Sequence, residues 1–142
     1  MCGIVGILGT KPVADELVDA LRRLEYRGYD SAGVATVENG HLERRRAEGK
    51  LKNLAARLND EPLQGHAGIG HTRWATHGKP SEQNAHPHVA GSVAVIGNGI
   101  VENFRELRDE LTLRGCIFKS ETDTEIISHL IHEARGQGLG LV

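Results

Sequence analysis

The sequence predicts one domain that mixes α-helices with β-strands. Its 142 residues are enough for one domain with a hydrophobic core and too few for two ordinary domains. Short runs rich in Val and Ile, bounded by glycine or turn residues, are typical of strands, and leucines and isoleucines recur at helical spacing between several of them. Because 39% of the residues are hydrophobic and 25% are charged, close to globular averages, we expect a folded chain.

Each predicted element depends on its local pattern. The strand candidates cover residues 2–8, 31–38, 41–48, 65–74, 92–96 and 116–119, and the first of them is expected to be buried. The helix candidates cover residues 12–24, 50–58, 107–115 and 122–131. The dipeptide Asn39-Gly40 favours a type I′ turn, so the strands on either side of it are predicted to form a hairpin. Thr122 and Glu125 have the spacing of a capping box for the last helix. Residues 75–89 predict a long loop, and a loop of that length in a compact domain is usually functional or disordered.

Charge and cysteine content limit the class of partner and the compartment. A formal net charge of −2 gives no electrostatic basis for binding nucleic acid or acidic membranes, so a small-molecule partner is favoured. The arginine run at 44–46 is flanked by acidic residues and is interpreted as a solvated face. Two cysteines cannot form a disulfide framework, and the start lacks the basic region of a signal peptide. We therefore expect a cytoplasmic protein without a membrane span.

Cys2 directly follows the initiator methionine, so it can become the amino-terminal residue itself. Removal of Met1 would leave a thiol and a free α-amine on the same residue. An α-amine has a pKa of roughly 7.7 to 8.0 and can accept the thiol proton near neutral pH, as in N-terminal nucleophiles. The alternative interpretation is an inert, apolar strand residue, because free Cys is among the most often buried residue types.

Arg73 and Asp123 are a candidate binding pair for an α-amino acid. Arg can hold a carboxylate by two parallel hydrogen bonds, and Asp can accept from an ammonium group. Asn98 and Gly99 are a candidate oxyanion hole, because a side-chain amide beside an unhindered backbone N–H supplies two donors to one oxygen. Other interpretations stay open here: an ordinary ion pair or helix cap for the first two residues, and a plain turn for Asn98-Gly99.

Four histidines between positions 71 and 88 raise the question of a metal site, and they are His71, His77, His86 and His88. They lack the close helical pair, the Cys pair and the acidic ligand that zinc sites use. We therefore expect no metal site here.

Five segments together resemble the glutaminase domain of the glucosamine-6-phosphate synthases, the isomerising glutamine:fructose-6-phosphate aminotransferases. They are residues 22–33 (RRLEYRGYDSAG), 71–78 (HTRWATHG), 84–88 (NAHPH), 98–103 (NGIVEN) and 120–125 (SETDTE). The start Cys-Gly-Ile-Val-Gly alone would indicate only the class II, or N-terminal nucleophile, glutamine amidotransferases. The runs EYRGYD and WATH indicate this member of the class, and the resemblance covers nearly the whole chain.

The resemblance implies an α+β fold of the N-terminal nucleophile hydrolase type, an αββα sandwich of two antiparallel sheets. It also implies a glutaminase that hydrolyses L-glutamine to glutamate and ammonia through a thioester on Cys2, a mechanism that requires no cofactor and no metal. The implied catalytic residues are Cys2, Asn98, Gly99 and Arg27, and the implied substrate-binding residues are Arg73, Trp74, Thr76, His77 and Asp123. Trp74 would belong to a mobile closing segment.

The same resemblance implies partners beyond this chain. In the full enzyme, ammonia is delivered to a sugar-isomerising domain that makes glucosamine 6-phosphate from fructose 6-phosphate, and the full-length enzyme is expected to be a homodimer. Residues 1–142 would then be a glutaminase domain that is incomplete at its C-terminus, with the isomerase domain absent.

Two features keep alternatives open. Position 97 is Gly where the family pattern is His-Asn-Gly, so the packing that orients Asn98 is expected to be lost. If Met1 stays attached, Cys2 has no free amine to act as its base. The alternatives are a catalytically inactive fragment that only binds glutamine, or another class II amidotransferase such as amidophosphoribosyltransferase or asparagine synthetase.

Overall fold

The computed structural model describes residues 2–140 and contains six strands and four α-helices within that range. The strands are β1 (Gly3–Leu8), β2 (Ser31–Glu38), β3 (His41–Glu48), β4 (Ala67–Arg73), β5 (His88–Ala90) and β6 (Val93–Val95). The helices are α1 (Ala14–Arg22), α2 (Leu51–Asp60), α3 (Phe104–Leu113) and α4 (Thr124–Gly136), and a 3₁₀-helix spans Glu25–Arg27. None of the described helices is long and apolar enough to cross a membrane. The predicted removal of Met1 lies outside the described residues.

The strands form two antiparallel sheets. Four strands pair in the order β1-β4-β2-β3, and β5 pairs with β6. The predicted hairpin of β2 and β3 is confirmed, and Asn39 and Gly40 at its turn have φ angles of 49° and 80°. Positive φ at both positions is the geometry of a type I′ turn, which Asn and Gly adopt with little strain.

Helices α1 and α2 cover one face of the four-stranded sheet. Their leucines at helical spacing form the apolar core against it: Leu17, Leu21, Leu51, Leu54 and Leu58. Full burial of each such side chain contributes roughly 1.5 to 3 kcal/mol. Tyr29 also belongs to this core, and its hydroxyl accepts a hydrogen bond from the Leu51 N–H at 2.8 Å. That contact satisfies a free N–H at the start of α2.

The opposite face of the sheet meets the β5–β6 pair, and Ala35 and Ile69 line one cavity together with Val93 and Val95. Helix α4 covers the β5–β6 pair in turn, and α3 packs on α4. The layers are therefore helices, sheet, sheet and helices, which confirms the predicted α+β αββα sandwich. The segment that leads into β5 approaches β2 closely at Gly33, where a Cβ atom would lie 2.1 Å from the His86 carbonyl oxygen. Only glycine permits this approach.

Two strand predictions fail. The sequence predicts a buried strand at residues 2–8, but β1 is an edge strand in which Ile4 is 46% and Leu8 86% exposed. It has a neighbouring strand on one side only. The predicted strand at 116–119 is irregular instead, and side chains satisfy part of its backbone. The Lys119 N–H donates to Glu125 at 2.8 Å, and the Lys119 carbonyl accepts from Gln83.

The predicted solvated face at residues 44–46 is also wrong, because all three arginines are half-buried. Arg44 donates to the Pro87 carbonyl at 3.0 Å, and Arg46 donates to the carbonyls of Gln83 and Ala85, both at 2.9 Å. Burial lowers the pKa of Arg46 to about 10. These arginines stabilise the loop that leads into β5.

The predicted capping box of Thr122 and Glu125 does not form. Helix α4 begins after Asp123 without a side-chain cap. The Glu125 carboxylate is buried and accepts from the Lys119 N–H, the Ser120 N–H and the Ser120 hydroxyl at 2.8, 2.7 and 2.6 Å. Donors from the preceding segment therefore replace the local capping contact.

Candidate active site

A cavity of about 470 Å³ opens where the ends of β1 and β4 meet the loop after β6. Eight of the nine predicted site residues line it: Cys2, Arg27, Arg73, Trp74, Thr76, Asn98, Gly99 and Asp123. The ninth, His77, is not among the lining residues. Its ring packs edge-on against Phe104, with the ring centroids 4.8 Å apart. The fold thus brings motifs that are far apart in the sequence to one place.

Cys2 lies directly before β1, and the pairing of β1 with β4 fixes its position. Gly3 pairs with Thr72, and the Gly3 N–H donates to the Thr72 hydroxyl at 2.9 Å. A Cβ atom on Gly3 would lie 2.7 Å from that oxygen, so glycine allows the close contact. At the adjacent position, the Trp74 N–H donates to Cys2 Sγ at 3.1 Å. A backbone donor in this place can stabilise negative charge on the sulfur.

The Asn98 amide is held at both ends beside Cys2. Its Nδ2 donates to the Cys2 carbonyl at 3.1 Å, and its Oδ1 lies 2.8 Å from His71 Nε2. Gly99 is exposed, and no atom lies within 4 Å of the place that its Cβ would occupy. An amide side chain and an unhindered backbone segment therefore line the same cavity as the Cys2 sulfur, as an oxyanion hole requires.

Glycine at position 97 leaves these contacts in place. The Gly97 N–H lies 3.4 Å from His86 Nδ1, and a Cβ atom on Gly97 would lie 3.2 Å from Thr124 Cγ2. Asn98 makes its two side-chain hydrogen bonds without help from a side chain at residue 97.

Arg73, at the end of β4, is buried and holds the loop that follows. Its guanidinium donates to the carbonyls of His77 and Gly78, the latter at 3.1 Å, and lies 3.5 Å from the Lys79 carbonyl. Burial lowers the pKa of Arg73, and the Asp30 carboxylate is the strongest of the charges that oppose this effect. Because a guanidinium has five N–H donors, Arg73 can still bind a ligand carboxylate in the cavity.

Asp123 is buried directly before α4, whereas Arg73 is the last residue of β4. Its Oδ2 accepts a hydrogen bond from the Val101 N–H at 2.7 Å. Asp123 occupies the N-cap position of α4, as the structural interpretation expects, but its side chain makes no capping hydrogen bond to the helix. A carboxylate accepts several hydrogen bonds, and acceptor capacity therefore remains for an ammonium group.

Trp74 forms an exposed part of the cavity rim, and 55% of it is accessible to solvent. Its indole lies over Gly28, where a Cβ atom would come within 2.9 Å of the ring. Gly28 has a φ of 74°, which favours glycine. The next residue, Ala75, is anchored through its N–H to Asp30 Oδ2 at 2.5 Å. Arg27, exposed on the adjacent 3₁₀-helix, completes this side of the cavity.

Behind Asn98 lies a histidine cluster, which consists of His71, His86 and His88. The first two rings stack with centroids 4.1 Å apart, and the last two meet edge-on at 4.6 Å. Burial lowers the pKa of His71 to about 4 and that of His88 to about 3, and it lowers the pKa of His86 as well. All three rings are therefore neutral near pH 7. Within residues 2–140, no group of three or more His, Cys, Asp or Glu side chains could hold a metal ion.

The contact between His71 and Asn98 was not predicted from the sequence. His71 draws notice there only as one of four histidines that could bind a metal. No local pattern indicates that a histidine in β4 will face an asparagine that follows β6, because the two positions are 27 residues apart.

Comparison with known proteins assigns the chain to a family. The profile described as a glutamine amidotransferase domain matches residues 45–139, more than half of the chain. The chain belongs to this glutamine amidotransferase family. It is 69% identical over 138 residues to the isomerising glutamine–fructose-6-phosphate aminotransferase of Bradyrhizobium diazoefficiens. It is 64% identical over 140 residues to the protein of the same name from Rhizobium meliloti.

These two alignments cover nearly the whole of this chain but only a small fraction of the length of each relative. They cover 97% and 99% of this chain, which spans 23% of the length of either relative. The predicted family resemblance is thereby confirmed.

Solved structures of amidotransferases share the fold. The glutamine phosphoribosylpyrophosphate amidotransferase of B. subtilis aligns with a TM-score of 0.76 at 26% identity, over 93% of this chain and 29% of that one. A structure described as the allosteric regulatory enzyme of purine biosynthesis aligns with a TM-score of 0.75 at 27% identity, with the same coverage of 93% and 29%. The chain therefore has the fold of the N-terminal nucleophile amidotransferases.

Proposed function

We propose that this chain is the glutaminase part of an isomerising glutamine:fructose-6-phosphate aminotransferase and hydrolyses L-glutamine to glutamate and ammonia. The observation that carries the proposal is the cavity shared by Cys2, Asn98, Gly99, Arg73 and Asp123. These residues supply a nucleophile, two oxyanion donors and two groups of opposite charge for the ends of an amino acid. A glutaminase needs all of these functions in one place.

Arg73 and Asp123 are proposed to bind the α-carboxylate and the α-ammonium group of glutamine. Both side chains are buried, so their charges are weakly screened and their hydrogen bonds to an ionised ligand are strong. With these two ends fixed, the side-chain amide of glutamine can reach Cys2. Thr76 and Trp74 would cover the bound substrate from the rim. His77 would act from outside the cavity, because its carbonyl accepts a hydrogen bond from Arg73.

The reaction begins when the Cys2 thiol gives its proton to the α-amine of the same residue. The sulfur forms a bond to the amide carbon of glutamine, and the resulting oxyanion accepts hydrogen bonds from Asn98 Nδ2 and the Gly99 N–H. The carbon–nitrogen bond then breaks, the proton passes from the amine to the leaving nitrogen, and ammonia departs. This step leaves a thioester between glutamate and Cys2.

Water then attacks the thioester, the carbon–sulfur bond breaks, and glutamate leaves as the thiol regains its proton. The Trp74 N–H, which donates to the sulfur at 3.1 Å, is placed to stabilise the thiolate whenever it forms. Arg27 adds positive charge near the nucleophile. The scheme requires removal of Met1, because the free amine of Cys2 is the base.

For the full-length protein we propose that ammonia serves a sugar-isomerising domain, which converts fructose 6-phosphate to glucosamine 6-phosphate. We also propose a homodimer in the cytoplasm, without a nucleic-acid or membrane partner. Identity of 69% to an aminotransferase of that name, against 26% to the phosphoribosylpyrophosphate amidotransferase, supports fructose 6-phosphate as the acceptor. Amino-sugar formation with fructose 6-phosphate, and none of phosphoribosylamine with phosphoribosyl pyrophosphate, would support this choice in the full-length protein.

The proposed hydrolysis is tested by measuring glutamate and ammonia release from glutamine. Cys2→Ala should abolish release while calorimetry still detects glutamine binding, because Arg73 and Asp123 are unchanged. Asn98→Ala should lower kcat roughly 10²- to 10³-fold, the usual effect of removing one oxyanion donor. Undiminished release by the Cys2→Ala variant would refute the proposal. Binding without release in the unaltered chain would support the alternative of a fragment that only binds glutamine.

A further inference from the structure

We propose that His71 is a positioning residue of the oxyanion hole: its Nε2–H fixes which way the Asn98 side-chain amide points. The proposal rests on the proposed glutaminase function and adds one residue to it. It starts from the asymmetry of an amide, which donates at one end and accepts at the other. Asn98 can serve the oxyanion hole only when its nitrogen faces the cavity.

The two contacts of Asn98 allow a single assignment. The Cys2 carbonyl can only accept, so the atom 3.1 Å from it must be Nδ2. Oδ1 therefore faces His71 Nε2 at 2.8 Å, and that nitrogen must carry a hydrogen. If His71 instead carried its hydrogen on Nδ1, Nε2 would accept. The amide would then be drawn to rotate and would place its oxygen beside the Cys2 carbonyl.

His71 is held more rigidly than the residue it contacts. It lies in β4, an inner strand of the sheet, is fully buried, and stacks on His86. Its Nδ1 makes no hydrogen bond to the described residues, although the Gly97 backbone lies close enough to the ring to oppose the effect of burial on the pKa of His71. Asn98, in contrast, is exposed in a loop between two glycines. The strand thus supplies a buried, packed reference for an exposed amide.

Two substitutions at His71 separate hydrogen bonding from volume. In His71→Gln the side-chain amide nitrogen can occupy the place of Nε2 and still donate to Asn98. In His71→Asn the amide reaches only the place of Nδ1, so the donor is lost. We expect His71→Asn to lower kcat roughly 10- to 100-fold, part of the cost of losing an oxyanion donor, with KM changed less than about threefold. His71→Gln should recover most of this loss.

A double-mutant cycle tests whether His71 acts through Asn98. In the His71→Asn background, Asn98→Ala should reduce kcat far less than in the unaltered chain, because the amide is already misplaced. Equal kcat values for His71→Gln and His71→Asn, or strictly multiplicative losses in the cycle, would overturn the proposal.

A measurement on the unaltered chain covers the case in which the variants do not fold. Long-range proton–nitrogen NMR of the imidazoles reports which ring nitrogen of His71 carries the hydrogen. The proposal requires the neutral Nε2–H form, and the Nδ1–H form would overturn it. If the unaltered chain releases no glutamate, the proposed function fails, while this spectrum still decides whether His71 donates to Asn98.

Discussion

Replacing Arg73 by lysine should both loosen the loop after β4 and weaken glutamine binding. The Arg73 guanidinium donates to the carbonyls of His77 and Gly78 and reaches toward that of Lys79. Lysine has a single nitrogen on a thinner head group and cannot span these carbonyls while also binding a carboxylate through two parallel bonds. The substitution keeps the positive charge but removes the planar arrangement of N–H donors.

The size of the effect follows from the number of bonds lost. A hydrogen bond to a charged group contributes about 1.5 to 3 kcal/mol, so loss of one loop contact should cost about 2 kcal/mol of unfolding free energy. For a chain of this size that corresponds to a fall in Tm of roughly 4 to 10 °C. Loss of one bond to the substrate should raise KM for glutamine about 10- to 100-fold, since 1.36 kcal/mol is a factor of ten.

Thermal melting and steady-state glutamate release measure these two quantities on the same preparation. Arg22→Lys is a matched control, because Arg22 is an exposed helix residue that pairs with Asp19 at 2.6 Å. It should change the unfolding free energy by less than about 0.5 kcal/mol and leave KM unaltered. If Arg73→Lys behaves like this control in both assays, the assignment of Arg73 to loop and substrate is wrong.

Three further predictions concern other parts of the structure. Because burial holds the pKa values of the histidine cluster below 6.5, with His88 at about 3, the unfolded chain takes up protons first as pH falls. Denaturant titrations should show unfolding free energy dropping below about pH 6.5, by up to about 1.4 kcal/mol per histidine per pH unit, and His88→Gln should reduce this slope. Gly28→Ala should destabilise the fold by at least about 1 kcal/mol and shift the fluorescence of Trp74, the single tryptophan, whereas Gly6→Ala, with open space around it, should leave that fluorescence unchanged. Glu125→Gln should lower the unfolding free energy by about 1 to 3 kcal/mol in chemical melts, because its amide would face three donors, and unchanged stability would contradict the burial argument.

Local patterns in the sequence predicted the elements that local physics determines. The hairpin follows from Asn39-Gly40, because few other dipeptides adopt positive φ at both turn positions so easily. The helices follow from leucine spacing, since one apolar face is enough to bury against a sheet.

Predictions failed where contacts outside the local pattern determine the outcome. Glu125 has the right spacing for a cap but is bound by donors of the preceding segment. The apolar run of β1 does not reveal that it lies at a sheet edge. The sequence around Arg44 and Arg46 is typical of a solvent-exposed strand. Their carbonyl partners lie in the loop before β5 and come close only in the folded chain.

The site could be predicted only through the family resemblance, because its residues are spread from Cys2 to Asp123. Residue chemistry suggested what Arg73 and Asn98 could do, but each had an ordinary structural interpretation. The role of His71 is the clearest example of a feature that could not be predicted from the sequence. Its contact with Asn98 depends on how the two sheets pack, and neither position carries a sequence signal for it.

The central claim is that Cys2 is a mature amino-terminal nucleophile in an assembled glutamine site. Intact mass measured before and after treatment with the glutamine-analogue electrophile 6-diazo-5-oxo-norleucine tests Met1 removal and thiol reactivity together. Cys116 is a matched control, because burial and the Glu133 carboxylate raise the pKa of its thiol. We predict a chain without Met1 that gains one adduct, which Cys2→Ala abolishes and Cys116→Ser preserves. A chain without Met1 that gains no adduct, or an adduct that persists in Cys2→Ala, would contradict the account.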